Sequence, residues 1–147
     1  MIKYIVFDIG GVVINFDWQK RIDYLAKVGE CKNRDYGKIE KVLLAKMELG
    51  LISLDKFESE IANLLNVRKS DVKWVLYYRK NVKVDSDVIQ LVDALHQGHK
   101  TGLLSNEDPS QYVEMKKLFD FALFDYKIAT CYVHLRKPDP EIYRYML

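Results

Sequence analysis

The chain has 147 residues, 49% of them apolar and 30% charged, which is the size and composition of one folded domain. Its net charge of +2 comes from interspersed signs, so no nucleic-acid partner and no membrane partner is expected. No run approaches the ~20 apolar residues that span a bilayer, and the apolar start is too short for a signal peptide. We therefore expect a cytoplasmic protein in which Cys31 and Cys131 are reduced thiols.

The N-terminal segment predicts a strand that ends on an acid. Residues 2–7 are β-branched or aromatic with almost no polar interruption, which predicts a strand buried on both faces. Asp8 ends the run, and Gly10 and Gly11 follow it. Glycine lets the backbone turn tightly and approach a ligand without a Cβ in the way, so this turn is a candidate binding loop.

The segment from Trp18 to about Asn81 has a different pattern of apolar residues. Its apolar residues recur at helical spacing in several stretches, which predicts a small bundle of helices inserted after the first strand. Gly50 stands where a helix C-cap is expected, and Ser53 and Ser70 stand where N-caps are expected.

From about Asp85 the pattern alternates between helix and strand. A helical stretch precedes the strand "KTGLLSN", Pro109 opens another helix that extends past Leu118, and "FALFDYKIAT" predicts a third strand. Strands that alternate with helices form a parallel sheet with right-handed crossovers, so the fold class is α/β, and the N-terminal strand belongs to the same sheet.

Polar residues follow each predicted strand: Asp8, then Ser105 and Asn106, then Lys137 in "LRKPDP". Ligands bind beyond the carboxyl ends of parallel strands, so these groups can converge on one site. A carboxylate there can attack phosphorus, while Mg²⁺, a lysine and a serine hydroxyl stabilise the charge on the phosphoryl oxygens. Each residue alone has a plain structural explanation as a cap, a turn or a solvated lysine; their order and spacing favour a phosphoryl-transfer site.

Three stretches resemble the first motifs of the haloacid dehalogenase-like hydrolase superfamily: "IVFDIGGVVINFD", "TGLLSN" and "LRKPDPEIYRYML". The stretch "ELGLISLDKFESEI" resembles the small helical cap of that superfamily, and the branch with the greatest resemblance contains sugar-phosphate phosphatases. The resemblance implies a Rossmann-like parallel sheet, formed by residues 1–16 and 84–147, with an inserted helical cap at residues 17–83.

The resemblance also implies roles for individual residues. Asp8 would be the nucleophile and a Mg²⁺ ligand, the Gly10 carbonyl would also face the metal, and Ser105 and Lys137 would complete the catalytic set. Phosphate binding is implied for Gly10, Gly11, Ser105, Asn106 and Lys137. The implied activity is Mg²⁺-dependent hydrolysis of a small phosphorylated metabolite, a sugar-phosphate-like monoester, through an aspartyl-phosphate.

Two departures from the superfamily pattern lower the expected activity. Gly10 stands where most of its phosphatases carry a second aspartate, a general acid worth about 10²–10⁴-fold. The sequence ends at Leu147, before the fourth motif, so the last two strands, about 50–60 residues, are expected to be missing. The Mg²⁺ site would then be incomplete, and the first strand would become a sheet edge through which a homodimer can form.

Other classes of function remain open at this stage. A non-catalytic remnant that acts by self-association is one alternative, and a haloacid dehalogenase on the same scaffold is another. A receiver-type phosphoacceptor domain also uses Asp, Ser and Lys around Mg²⁺, but it needs an acidic pair on its first strand, where this sequence has only Asp8.

Overall fold

The computed structural model describes residues 2–29 and 36–147. Their elements are, in chain order, β1 (Tyr4–Phe7), β2 (Ile14–Asn15), α1 (Trp18–Val28), α2 (Tyr36–Glu48), α3 (Leu54–Leu65), α4 (Lys69–Val72), α5 (Trp74–Asn81), β3 (Lys83–Val84), α6 (Ser86–His96), β4 (Lys100–Ser105), α7 (Pro109–Met115), a 3₁₀ turn (Phe121–Leu123), β5 (Tyr126–Ala129), α8 (Thr130–Val133) and α9 (Pro140–Met146). Within the described residues, no helix has the length and apolar content that a bilayer crossing requires.

The main sheet has three parallel strands in the order β1-β4-β5, which confirms the predicted α/β fold. The register pairs Phe7 with Leu103 and Ser105 with Ala129, so the carboxyl ends of all three strands meet at one edge. β4 is the central strand and is buried from Thr101 to Ser105. Its Leu103 side chain belongs to a core that α6 and α7 cover with Val92 and Met115.

β1 forms an edge of this sheet, and the prediction that it is buried on both faces is wrong. Tyr4 is 58% exposed and Val6 44% exposed, and these alternate residues share one face of the strand, which α9 covers only in part. An apolar cavity of about 550 Å³ lies along this face, with Tyr126 and Met146 also in its lining.

The helices α1 to α5 pack around a second apolar cluster, separate from the sheet's core. Leu25, Met47, Phe57 and Trp74 are fully buried in it. The predicted N-cap at Ser53 is confirmed, since its hydroxyl accepts a hydrogen bond from the Lys56 N–H at 3.1 Å. The prediction for Ser70 is wrong: α4 begins at Lys69, and Arg68 precedes it as the cap. Cys31 lies outside the described residues, whereas Cys131 is a buried thiol.

A short ribbon that sequence patterns missed joins the two ends of the helical segment. β2 and β3 pair antiparallel, with Ile14 opposite Val84. The Asp85 N–H donates to the Val13 carbonyl at 2.9 Å, which continues the ribbon by one bond. Two residues a side are too few for a recognisable alternation, and for that reason the ribbon has no clear sequence signal.

Two predicted elements in the C-terminal half are shorter than expected. The helix that Pro109 opens ends at Met115, before Leu118. Only Tyr126–Ala129 of "FALFDYKIAT" is a strand. The first residues of that stretch form a 3₁₀ turn, because the Asp120 carboxylate accepts a hydrogen bond from the Ala122 N–H at 2.8 Å and caps it.

Candidate active site

Asp8 lies directly after β1, at the edge where the parallel strands end. Its Oδ1 accepts a hydrogen bond from the Ile9 N–H at 2.7 Å, while its side chain remains 45% exposed. The chain then turns around the buried Ile9, whose carbonyl accepts hydrogen bonds from the N–H groups of Val12 and Ile14. Gly11 has a φ of 79°, the left-handed region, so this turn requires glycine there.

Ser105 is the last residue of β4, the strand beside β1. Its side chain is nearly buried, and its Oγ lies 3.4 Å from Asp8 Oδ1. The parallel register pairs Phe7 with Leu103, so Asp8 and Ser105 come one and two residues after a paired position and lie close together at the same sheet edge.

Lys137 reaches the same carboxylate from the loop that follows α8. Its Nζ lies 2.7 Å from Asp8 Oδ2 and also donates to the Leu104 carbonyl at 2.8 Å. Asn106 fixes this loop by a reciprocal pair of bonds: its amide donates to the Lys137 carbonyl at 3.1 Å, and its Oδ1 accepts from the Lys137 N–H at 2.9 Å. The structure therefore brings a carboxylate, a hydroxyl and an ammonium group together at one point.

A cavity of about 280 Å³ opens in front of these groups, between the strand ends and the helices. Asp8, Gly10, Ser105, Asn106 and Lys137 line one side of it. Its other side is formed by α1 and α2, with side chains that include those of Trp18 and Glu48. Gly11 is not part of the lining, so of the predicted phosphate-binding residues it is the one that the structure leaves apart from the cavity.

Sequence patterns missed three acidic side chains that belong to this cavity, those of Glu40, Glu48 and Glu107. Glu107 is 5% exposed and accepts a hydrogen bond from Ser105 Oγ at 3.0 Å. Its burial, with help from the neighbouring Asp108, raises its pKa to about 8. Glu48, at the end of α2, is also buried, which raises its pKa. The position of Glu107, directly after Ser105 and Asn106, is the signal that could have found it.

Glu48 also connects the helices to the lysine loop. Its carboxylate accepts a hydrogen bond from Arg136 Nε at 2.6 Å, and Arg136 precedes Lys137. One residue beyond Glu48, the Leu49 carbonyl lies 2.8 Å from His134 Nδ1. The C-terminal end of α2 is therefore held against the segment that carries the site lysine.

The oxygen atoms at Asp8 and Gly10 include the one carboxylate that a weak Mg²⁺ site needs at the least. This ion is commonly held by one or two carboxylates together with waters and substrate phosphate oxygens. The exposed Asp8 carboxylate and the exposed Gly10 backbone supply a carboxylate and a carbonyl. In the described part of the chain, no three His, Cys, Asp or Glu side chains are grouped as ligands.

Comparison with known proteins decides the family. A model described as "haloacid dehalogenase-like hydrolase" matches residues 2–147. The chain belongs to the haloacid dehalogenase-like hydrolases. A curated relative, D-ribitol-5-phosphate phosphatase from Bacteroides thetaiotaomicron, is 26% identical over 162 residues, which cover all of this chain and 76% of the relative.

Solved structures of such hydrolases share the fold. A haloacid dehalogenase family enzyme from B. thetaiotaomicron superposes with a TM-score of 0.86 at 22% identity, covering 99% of this chain and 76% of that one. A structure of the same enzyme in complex with magnesium and inorganic phosphate gives a TM-score of 0.80 at 22% identity, with 99% of this chain and 77% of that one covered. At such identities the likeness establishes the fold.

Proposed function

We propose that this hydrolase is a Mg²⁺-dependent phosphatase that cleaves a small phosphate monoester through an aspartyl-phosphate on Asp8. The observation that carries the proposal is the convergence on one carboxylate of Lys137 Nζ, at 2.7 Å from Oδ2, and Ser105 Oγ, at 3.4 Å from Oδ1. An ammonium group and a hydroxyl beside a carboxylate offset the repulsion between that carboxylate and an incoming phosphate dianion.

The proposed reaction has two displacements at phosphorus. An Asp8 oxygen attacks the phosphorus atom and forms an acyl-phosphate, while the ester P–O bond breaks and its electron pair leaves on the alcohol oxygen. That oxygen takes a proton from water, because Gly10 has no side chain to supply one. A second water then attacks phosphorus and loses a proton, and the bond to Asp8 breaks to release inorganic phosphate.

The residues around Asp8 have separate tasks in this scheme. Lys137 holds the carboxylate in place and stabilises the phosphoryl oxygens, and Ser105 donates a hydrogen bond to one of those oxygens. Asp8 and the Gly10 carbonyl would hold Mg²⁺, which would supply further neutralising charge. Asn106 keeps Lys137 at the correct distance through the two bonds to its backbone.

The helical segment, residues 17–83, is proposed to act as a cap that selects the substrate. It supplies Trp18 and Glu48 to the cavity wall opposite Asp8, where the leaving group would lie. A cavity of about 280 Å³ suits a small phosphorylated molecule. The ribitol-phosphate activity of the curated relative supports a phosphorylated sugar or polyol as the substrate class.

Hydrolysis of p-nitrophenyl phosphate by the wild-type chain and by Asp8→Asn tests the proposal. The good leaving group needs little acid assistance, so the lack of a donor at Gly10 does not hide activity. We expect hydrolysis that requires both Mg²⁺ and Asp8, and we expect D-ribitol 5-phosphate to compete. Equal rates for the two folded proteins would exclude Asp8 as the nucleophile.

The open edge at β1 favours a second candidate, a protein that acts by self-association. Tyr4 and Val6 are both exposed beside an apolar cavity of about 550 Å³, and an unpaired strand can add a strand from a second copy. Sedimentation of the wild type and of Val6→Lys tests this candidate. A dimer that the lysine converts to a monomer supports it, and a monomer at all concentrations excludes it.

A further inference from the structure

The hydroxyl of Ser105 lies between two carboxyl groups. Its Oγ is 3.4 Å from Asp8 Oδ1 and 3.0 Å from Glu107 Oε1. A serine hydroxyl carries one hydrogen, so it can donate to only one of these groups at a time. The direction in which that hydrogen points therefore depends on whether Glu107 accepts it or supplies a hydrogen of its own.

The surroundings of Glu107 favour its neutral form. The residue is 5% exposed, and its backbone N–H donates to Thr130 Oγ1 at 3.1 Å, which fixes it beneath the cavity. Titratable groups near it are Asp108 beside it in the chain, Asp8 after β1, Glu48 on α2, Tyr78 on α5 and Cys131 on α8; Glu40, Lys41 and Lys137 line the same cavity. Burial is the main cause that raises its pKa to about 8; nearby carboxylates add to the effect, and the hydrogen bond with Ser105 opposes it.

We propose that Glu107 is a positioning residue of the phosphate subsite, whose carboxylic O–H donates to Ser105 Oγ and leaves the serine hydrogen for a phosphoryl oxygen. The inference rests on the proposed function, because it concerns the same phosphate. When ionised, Glu107 takes the serine hydrogen for itself and adds a negative charge close to the bound dianion. Both changes weaken phosphate binding.

Binding of inorganic phosphate, measured by calorimetry with Mg²⁺ present, tests the inference without any need for turnover. Glu107→Gln retains a neutral hydrogen-bond donor at every pH. Phosphate itself titrates in this pH range, but it does so equally for both proteins, so we compare the phosphate affinity of the wild type with that of Glu107→Gln as a ratio. We expect this ratio to fall about tenfold between about pH 7 and about pH 9. Glu58→Gln is the matched control: burial also raises the pKa of Glu58, but this residue lies on α3, away from the cavity lining.

A second variant separates action through the serine from direct repulsion of phosphate. In Ser105→Ala the relay is cut, so the loss of affinity at high pH that Glu107 causes should shrink to the part that its charge produces directly. If that loss persists undiminished in Ser105→Ala, Glu107 acts on phosphate only through its charge and the positioning role is wrong. Circular dichroism of each variant confirms that the comparison is made between folded proteins.

The remaining outcomes separate this inference from the function on which it rests. Absence of phosphate binding by the wild type at every pH overturns both. Wild-type binding whose pH dependence is unchanged in Glu107→Gln, or a folded Glu107→Gln that binds no phosphate, overturns the inference alone. A Glu107→Gln enzyme that hydrolyses p-nitrophenyl phosphate but not an alkyl phosphate identifies Glu107 as a proton donor to the leaving group, which also contradicts the positioning role.

Discussion

The two sides of Asp8 differ in their polar contacts: the side toward β4 is called the built side, and the side at the edge of β1 is called the open side. On the β4 side, Ser105, Asn106, Glu107 and Lys137 are linked to one another or to Asp8 by hydrogen bonds and an ion pair. On the other side β1 is a sheet edge, and its neighbouring cavity is apolar. The comparison indicates that the proposed phosphate-binding half of the site is preorganised, whereas the proposed Mg²⁺ would be held, among the described residues, by Asp8 and the Gly10 carbonyl.

Removal of the site ammonium should have the largest effect on the built side. Lys137→Met leaves the charge of Asp8 and of the phosphate without the cation that lies 2.7 Å from Oδ2. We expect hydrolysis of p-nitrophenyl phosphate to fall about 10²–10³-fold. Lys127→Met, at an exposed position on β5, is the control and should keep the wild-type rate. A Lys137 variant with normal turnover would show that the ion pair has no part in catalysis.

The neutral acid on the built side should make stability depend on pH. The folded protein holds the Glu107 proton up to a pKa of about 8, against 4.5 for an ordinary glutamate, so folded chains bind more protons between these values. The free energy of unfolding of the wild type, relative to Glu107→Gln, should therefore fall as pH rises through this window, by up to about 1.4 kcal/mol per pH unit. Urea unfolding at several pH values measures the difference; a constant difference would mean that Glu107 titrates normally.

Loss of the Asn106 side chain, which holds the Lys137 loop by two hydrogen bonds, should have a smaller effect. Asn106→Ala removes both side-chain bonds to the Lys137 backbone and should lower the free energy of unfolding by about 1–3 kcal/mol. Hydrolysis should fall mainly through kcat, since the lysine is displaced while the cavity remains. Asn106→Asp keeps the acceptor for the Lys137 N–H and should recover part of the stability. Thermal unfolding and steady-state kinetics report the two effects separately.

The smallest effect is expected on the open side, from the metal by itself. Because no three His, Cys, Asp or Glu side chains of the described residues form a ligand group, Mg²⁺ alone should raise the melting temperature very little, whereas Mg²⁺ with inorganic phosphate should raise it more than the sum of the separate shifts. Differential scanning fluorimetry in the four combinations measures this coupling. A large shift with Mg²⁺ alone would contradict the description of the open side.

The sequence predicted the parallel sheet and the polar strand ends well, because both depend on local patterns. Asp8 follows β1, Ser105 ends β4 and Lys137 lies beyond β5 in the loop after α8, and the topology of a parallel sheet brings such positions together. The exposure of Tyr4 and Val6 was not predicted, since an apolar strand has the same composition whether or not its face is covered. Glu107 was missed because its burial depends on α2, α5 and α8, which are distant in the chain.

The central claim is that Asp8 carries the phosphoryl group during turnover. Its most direct test is to quench the wild type during hydrolysis of p-nitrophenyl phosphate with hydroxylamine, which converts an acyl-phosphate to a hydroxamate, and to map the adduct by mass spectrometry. The account predicts a hydroxamate on Asp8 that forms only with Mg²⁺ and substrate and is absent in Asp8→Asn. Hydrolysis with no adduct on Asp8, or with the adduct on another residue, would contradict it.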